Sequence, residues 1–201
     1  MLFVIIAITV IISMLAFNNE KLFNKLKFNA YEIKKYREGW RFFTYGFVHA
    51  GWVHLFINMF VLYSFGDIVV QLFQVHFGGK GILFFILLYI GSIIFSVLFD
   101  YRKNLDNPYY SAVGASGAVS AVVFSSIILY PAGSIYLFLI PIPIPAPIFG
   151  ILYLVYSAYM SKRAQDNIGH SAHFWGAVYG VAFTIILKPA FVVSFWEQLF
   201  G

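Results

Sequence analysis

Apolar residues in this chain come as long unbroken runs divided by short polar stretches. The runs lie at about 2–17, 51–73, 82–99, 113–130, 147–160 and 168–187. They follow neither the alternation of a half-buried strand nor the 3.6-residue stripe of a surface helix, so the solvent they are built for is lipid. They predict six transmembrane helices in an all-α bundle. The first run has neither the basic leader nor the small-residue cleavage site of a signal peptide and reads as a retained helix. Between the fourth and fifth runs, residues 141–147 read Pro-Ile-Pro-Ile-Pro-Ala-Pro. Each proline lacks an N–H and clashes with the preceding helical turn, so this stretch predicts extended chain. The polar stretches 18–50, 100–112 and 161–167 read as loops.

Composition agrees with the pattern. Hydrophobic residues make up 61% of the 201 positions and charged ones 10%, with a mean hydropathy of +0.83. A soluble domain carries roughly 25% charge. The length suits a single membrane domain over 1–201. Cysteine is absent, which excludes thiolate metal sites and a cysteine nucleophile. The net charge of +5 is concentrated in the first loop, where residues 20–41 hold seven basic against three acidic side chains. Such a loop suits the headgroups of a lipid bilayer, worth about 1 kcal/mol per cation, and makes nucleic acid a poor partner.

Polar residues inside apolar runs are costly and therefore informative. Here they are His54, Asn58, Asp67, Ser116, His170 and His173, with His49 at the edge of the second run. His54 and Asn58 stand four apart on one helical face, two donors able to hold an oxyanion. His173, Gly176 and Gly180 form one stripe on the sixth run, an imidazole above a glycine face. The fourth run starts Gly114-Ala-Ser116-Gly117, a serine between glycines. Two small-residue faces can pack backbone to backbone, and Ser116 would then meet His173. Either glycine pattern alone is equally what ordinary helix packing uses. Asp67 reads as the only acid well inside a span, about 20 Å along the helix from His54 at 1.5 Å per residue. That is too far to orient a histidine beside Ser116, so the residues favour a Ser–His dyad over a triad.

Together these pieces resemble the rhomboid family of intramembrane serine proteases in its minimal six-helix form. The matching segments are Trp40-Arg41, His49-Ala-Gly-Trp-Val-His54-Leu-Phe-Ile-Asn58, Gly114-Ala-Ser116-Gly117 and Ala172-His173-Phe-Trp-Gly176-Ala-Val-Tyr-Gly180. They occur in family order on the second, fourth and sixth runs. The resemblance implies a serine endopeptidase that cuts transmembrane segments of other membrane proteins. Ser116 would be the nucleophile and His173 the general base. His54, Asn58 and the Ser116 backbone N–H would form the oxyanion hole, with Gly114, Gly117, Gly176 and Gly180 in support. No cofactor and no metal is implied. One position departs: Ser120 stands where family members often carry an aromatic ring against the catalytic histidine, so a tyrosine or tryptophan elsewhere must orient His173.

Two other classes compete. A rhomboid-like protein of weak or absent activity would bind or clamp membrane proteins, and a haem or metal protein would use the histidines as ligands. The second leaves Gly114-Ala-Ser-Gly117 without a role. Orientation divides the indicators. The odd-numbered loops hold seven, two and two of the Lys and Arg residues, against Lys80 and Lys188 opposite, and positive-inside counting turns that face to the cytoplasm. The resemblance implies an active site on the external face of a multi-pass protein, which in a prokaryote would lie in the cell membrane. The expectation follows the resemblance, because a first loop lying partly in the membrane escapes the counting rule.

Overall fold

The computed structural model describes residues 1–137, 140–163 and 169–201. The expected helices form at all six places, with different ends. Helix α1 (Leu2–Phe17) is followed by three short helices inside the predicted first loop: α2 (Glu20–Leu26), α3 (Ala30–Tyr36) and α4 (Arg41–Thr44). The Asn19 side chain caps α2 by accepting from the Leu22 N–H, and Asn29 caps α3 by accepting from Glu32, each satisfying a donor that a helix start leaves unpaired. A 3₁₀ turn (Tyr45–Phe47) leads to α5 (Trp52–Phe77), then α6 (Lys80–Ser96) and α7 (Leu98–Lys103). Next come α8 (Ser116–Leu129), the strands β1 (Ser134–Leu137) and β2 (Ile140–Pro145), α9 (Ala146–Arg163), α10 (His170–Leu187) and α11 (Ala190–Phe200). The expected start of the sixth helix at Ile168, and 164–167 of the expected fifth loop, lie outside the described residues.

By length and apolarity, α5 and the continuous stretch Lys80–Lys103 qualify outright as membrane spans, and α10 with α11 qualifies as a pair bent by 106°. The bend falls at Lys188-Pro189, where proline stops the ladder. α8 is much shorter than a bilayer is thick, about 21 Å at 1.5 Å per residue. Its surroundings explain this: all of its residues except Ser116 and Ile128 are buried, enclosed chiefly by α5, α6 and α10. A helix wrapped in protein does not take its length from the lipid.

The proline-rich stretch forms the second strand of an antiparallel hairpin, with Ile135 opposite Ile144 and Tyr136 opposite Pro143. Successive N–H groups of a strand point to opposite edges, so prolines at every second position place their missing donors along one edge. The edge facing β1 keeps its isoleucine N–H groups.

The predicted loop regions are more ordered than their polarity suggests. Arg41 is buried, donates to the carbonyls of Asn24 (2.7 Å) and Lys27 (2.9 Å), and pairs with Glu32 and Glu38. A planar guanidinium with several donors suits such a fold-organising centre. Phe28 and Ala112 exchange backbone hydrogen bonds of 2.9 and 3.1 Å, tying the first loop to the third. Asp67 does lie within the α5 span, but it is not the only acid inside an apolar stretch, since Lys80–Lys103 includes Asp100. Asp67 is exposed on α5 beside Gln71, whereas Asp100, expected in a loop, is buried in α7 with Ser171 and Tyr110 beside it. Polar neighbours at 102–107 hid its helical setting.

Candidate active site

The turn before α8 is built around Gly114. Its φ of +109° is a conformation that only glycine adopts without strain. A Cβ there would also fall 2.5 Å from His54 Cε1, so the missing side chain is what lets the imidazole lie over the turn. The Gly114 N–H donates to the Tyr45 carbonyl at 3.0 Å, and the Ala115 N–H donates to His49 Nε2 at 3.3 Å. Ser116 follows as the first residue of α8, where backbone N–H groups have no partner within the helix and the local dipole favours negative charge.

His49 has a role that the sequence alone did not assign. Its ring is fully buried. Ser13 Oγ donates to the Phe47 carbonyl and lies 2.9 Å from His49 Nδ1. The serine proton is thus committed, so Nδ1 carries the ring proton and Nε2 is the acceptor for Ala115. Burial, with His54 nearby, holds the His49 pKa down at about 3, so the ring is neutral at ordinary pH. It links α1, the start of α5 and the serine turn. A histidine in the approach to α5 was visible as a candidate; its partners, 36 and 66 residues away, were not.

α8 and α10 pack more extensively than any other pair of described elements. A Cβ on Gly176 would overlap the backbone of Gly117, and one on Gly180 would overlap the backbone of Ala121. The two contacts are four residues apart on each helix, one turn in register. A Cβ on Gly117 would meet Ser96 Oγ at 2.5 Å and the Ala172 carbonyl at 3.2 Å. Ser116 and His173 therefore flank the Gly117–Gly176 contact, Ser116 one residue from it and His173 three.

Both line a cavity of about 1190 Å³. His54 and Asn58 line its α5 wall; Phe149 and Tyr153 line the α9 wall, and Tyr109 and Tyr110 contribute from the loop before α8. The His54 ring lies edge-on to His49, centroids 4.9 Å apart. Asn58 is buried, and its amide donates to the His54 carbonyl at 2.8 Å. That bond uses one of two amide protons and fixes the side chain's rotamer. His170 is buried and packs edge-on to Tyr156 and His173, with centroids 5.4 and 6.0 Å away. Ser120, one turn beyond Ser116, bonds the Tyr153 hydroxyl at 2.5 Å, and the Tyr153 ring lies nearly parallel to His173, 23° between planes and 6.3 Å between centroids. Tyr153 sits in no motif, so nothing in the sequence singled it out among 14 tyrosines.

The site thus gathers Ser116, His173, His54 and Asn58 at one cavity, with Gly114 against the His54 ring and Gly117, Gly176 and Gly180 at the helix seam. No cluster of His, Asp or Glu among the described residues has the arrangement of a metal site.

Comparison with known proteins points the same way. The Rhomboid domain family pattern matches residues 36–190. The chain is 30% identical to "RHOMBOID-like protein 12, mitochondrial" of Arabidopsis thaliana over 74% of this chain and 46% of that protein. It is 28% identical to "Inactive rhomboid-related protein 2" of Caenorhabditis elegans, over 81% and 46%. It is 25% identical to "Presenilin-associated rhomboid-like protein A, mitochondrial" of Danio rerio, over 76% and 40%. The matched segments cover less than half the length of these relatives.

Proposed function

The chain belongs to the rhomboid family, an integral membrane protein by its domain and its apolar helices, and from that premise we propose that it is an intramembrane serine endopeptidase. The observation that carries this reading is the junction of α8 and α10, where Ser116 and His173 adjoin one backbone contact and face one cavity. Serine is a weak nucleophile until a base removes its proton. His173 takes that proton as Ser116 Oγ attacks the scissile carbonyl, and returns it to the leaving amine. The tetrahedral oxyanion is held by the Ser116 N–H, His54 and Asn58. Such preorganised donors act most strongly where water is scarce. A water then releases the acyl group by the same sequence.

The substrate is a transmembrane segment of another membrane protein. A helix conceals its peptide bonds in its own ladder, so the segment must unwind locally to reach Ser116; glycine or proline near the cut eases this. The loop residues Ala50, Tyr109 and Tyr110 line the cavity together with Ser116, and we assign their side to the external face of the membrane.

One relative carries "Inactive" in its name, and a clamp that binds without cutting is the reading to be separated from this one. Retention of both Ser116 and His173 favours the protease. The test is purification in detergent, labelling with a fluorophosphonate probe, and cleavage of a co-expressed membrane reporter. Labelling at Ser116 and cleavage that disappears in Ser116→Ala are expected. A folded wild-type protein that neither labels nor cleaves would overturn the proposal in favour of the clamp.

A further inference from the structure

A general base works only if its ring presents one nitrogen to the nucleophile in a fixed orientation. The backbone contact at Gly117 and Gly176 fixes where the α10 helix lies, but not the rotation of the His173 ring about its side-chain bonds. That rotation needs a partner. Two aromatic rings lie against the imidazole: His170 edge-on at 6.0 Å between centroids, and Tyr153 nearly parallel, at 23° and 6.3 Å. Tyr153 is itself held on three sides: its hydroxyl bonds Ser120 Oγ at 2.5 Å, Phe149 lies 5.7 Å away and Phe124 5.6 Å away between centroids. Ser120 stands on the same helix as Ser116, one turn further along. The tether therefore references the ring stacked on the base to the helix that carries the nucleophile.

We infer that Tyr153, held by Ser120, is the positioning residue for His173. The inference rests on the protease reading above. The ring limits His173 to orientations that keep one nitrogen toward Ser116. The phenolic hydroxyl has no part in the chemistry; it anchors the ring. This division of labour orders the variants. Tyr153→Phe keeps the ring and loses the anchor. Ser120→Ala loses the anchor from the other side. Tyr153→Leu loses the ring.

The experiment measures the maximal rate and the half-saturating concentration for fluorophosphonate labelling of Ser116, together with thermal stability, on wild type and the three variants in one detergent. Tyr153→Leu should lower the maximal labelling rate about tenfold, with half-saturation little changed. Tyr153→Phe and Ser120→Ala should each lose only about threefold, and the pair combined should be no slower than either alone. Rescue by phenylalanine at matched stability separates positioning from mere packing. Equal maximal rates in wild type and Tyr153→Leu would overturn the inference and leave the protease intact. If Tyr153→Leu does not fold, the decision falls to the other two: full wild-type rates in both, or additive losses, would overturn it. A wild type that never labels removes the protease reading and this inference together.

Discussion

The two walls that meet at the cavity beside Ser116 and His173 are built by different means. On one side, α8 and α10 touch through backbone, with Gly176 on Gly117 and Gly180 on Ala121. No side chain intervenes, so their separation has almost no freedom. On the other side, α9 and α5 reach the site through side chains: Tyr153 beside His173, His54 over Gly114, and Asn58 bonded to its own helix. The comparison teaches that position and orientation are set separately here. Backbone contact fixes where Ser116 and His173 stand; hydrogen bonds and rings fix how the groups around them are aimed.

The largest effect tests what the seam holds. Ser116→Ala and His173→Ala should each lower cleavage by more than about 10⁴-fold, and the double variant should be no worse, because nucleophile and base act as a unit. Thermal stability should hardly move. Substantial turnover by either folded variant would end the comparison, since the seam would then carry no dyad.

Next comes the seam itself. Gly176→Leu and Gly180→Leu force a side chain into the backbone of α8, costing about 3 kcal/mol or more if the helices separate. Activity and melting temperature should fall together. Variants that remain stable but inactive would mean the seam aims groups as well as placing them.

The α5 wall should show the opposite signature. His54→Ala and Asn58→Ala should lower kcat by about 10²–10³-fold through loss of oxyanion donors, with KM changing far less and melting temperature nearly constant. His54 should show the larger effect, since the Gly114 turn is shaped to receive its ring. A loss confined to melting temperature would return both residues to helix packing.

The smallest effect concerns His49, which joins the two kinds of wall. Its folded pKa, about 3, lies below the ordinary value near 6.5. The unfolded chain thus binds a proton that the folded chain refuses. Its contribution is full above about pH 6.5 and is lost as pH falls toward 3, with a slope of up to about 1.4 kcal/mol per unit. His49→Asn keeps an acceptor for Ala115 and cannot protonate, so its melting temperature should depend less on pH across that window. Parallel profiles would show that the ring is not held neutral.

What the sequence revealed divides along the same line. The glycine stripe at 176 and 180, the Gly114–Gly117 turn and the His54–Asn58 face were legible, because each is local and periodic. Matching the two small-residue faces brought Ser116 toward His173; that the His54–Asn58 face joins them was implied only by the family resemblance. Tyr153 and His49 were not assigned roles, because each acts through partners far along the chain. Asp100 was missed for another reason: the polar residues after it read as loop, while the burial comes from α10 and Tyr110. The helices within the first loop did leave a signal, in Asn19 and Asn29 at their caps.

The shortness of α8 has a consequence for how the protein meets membranes of different thickness. Lipid-facing helices answer hydrophobic mismatch by tilting, and α5 is long, with Tyr63 and Val75 exposed away from the cavity. α8 has almost no surface through which a thicker or thinner bilayer could pull on it. Mismatch therefore reaches the site through α5, moving His54 and Asn58 relative to a serine and histidine whose spacing stays fixed. Spin-label distances in short- and long-chain lipids should change between α5 and α8 and remain constant between α8 and α10.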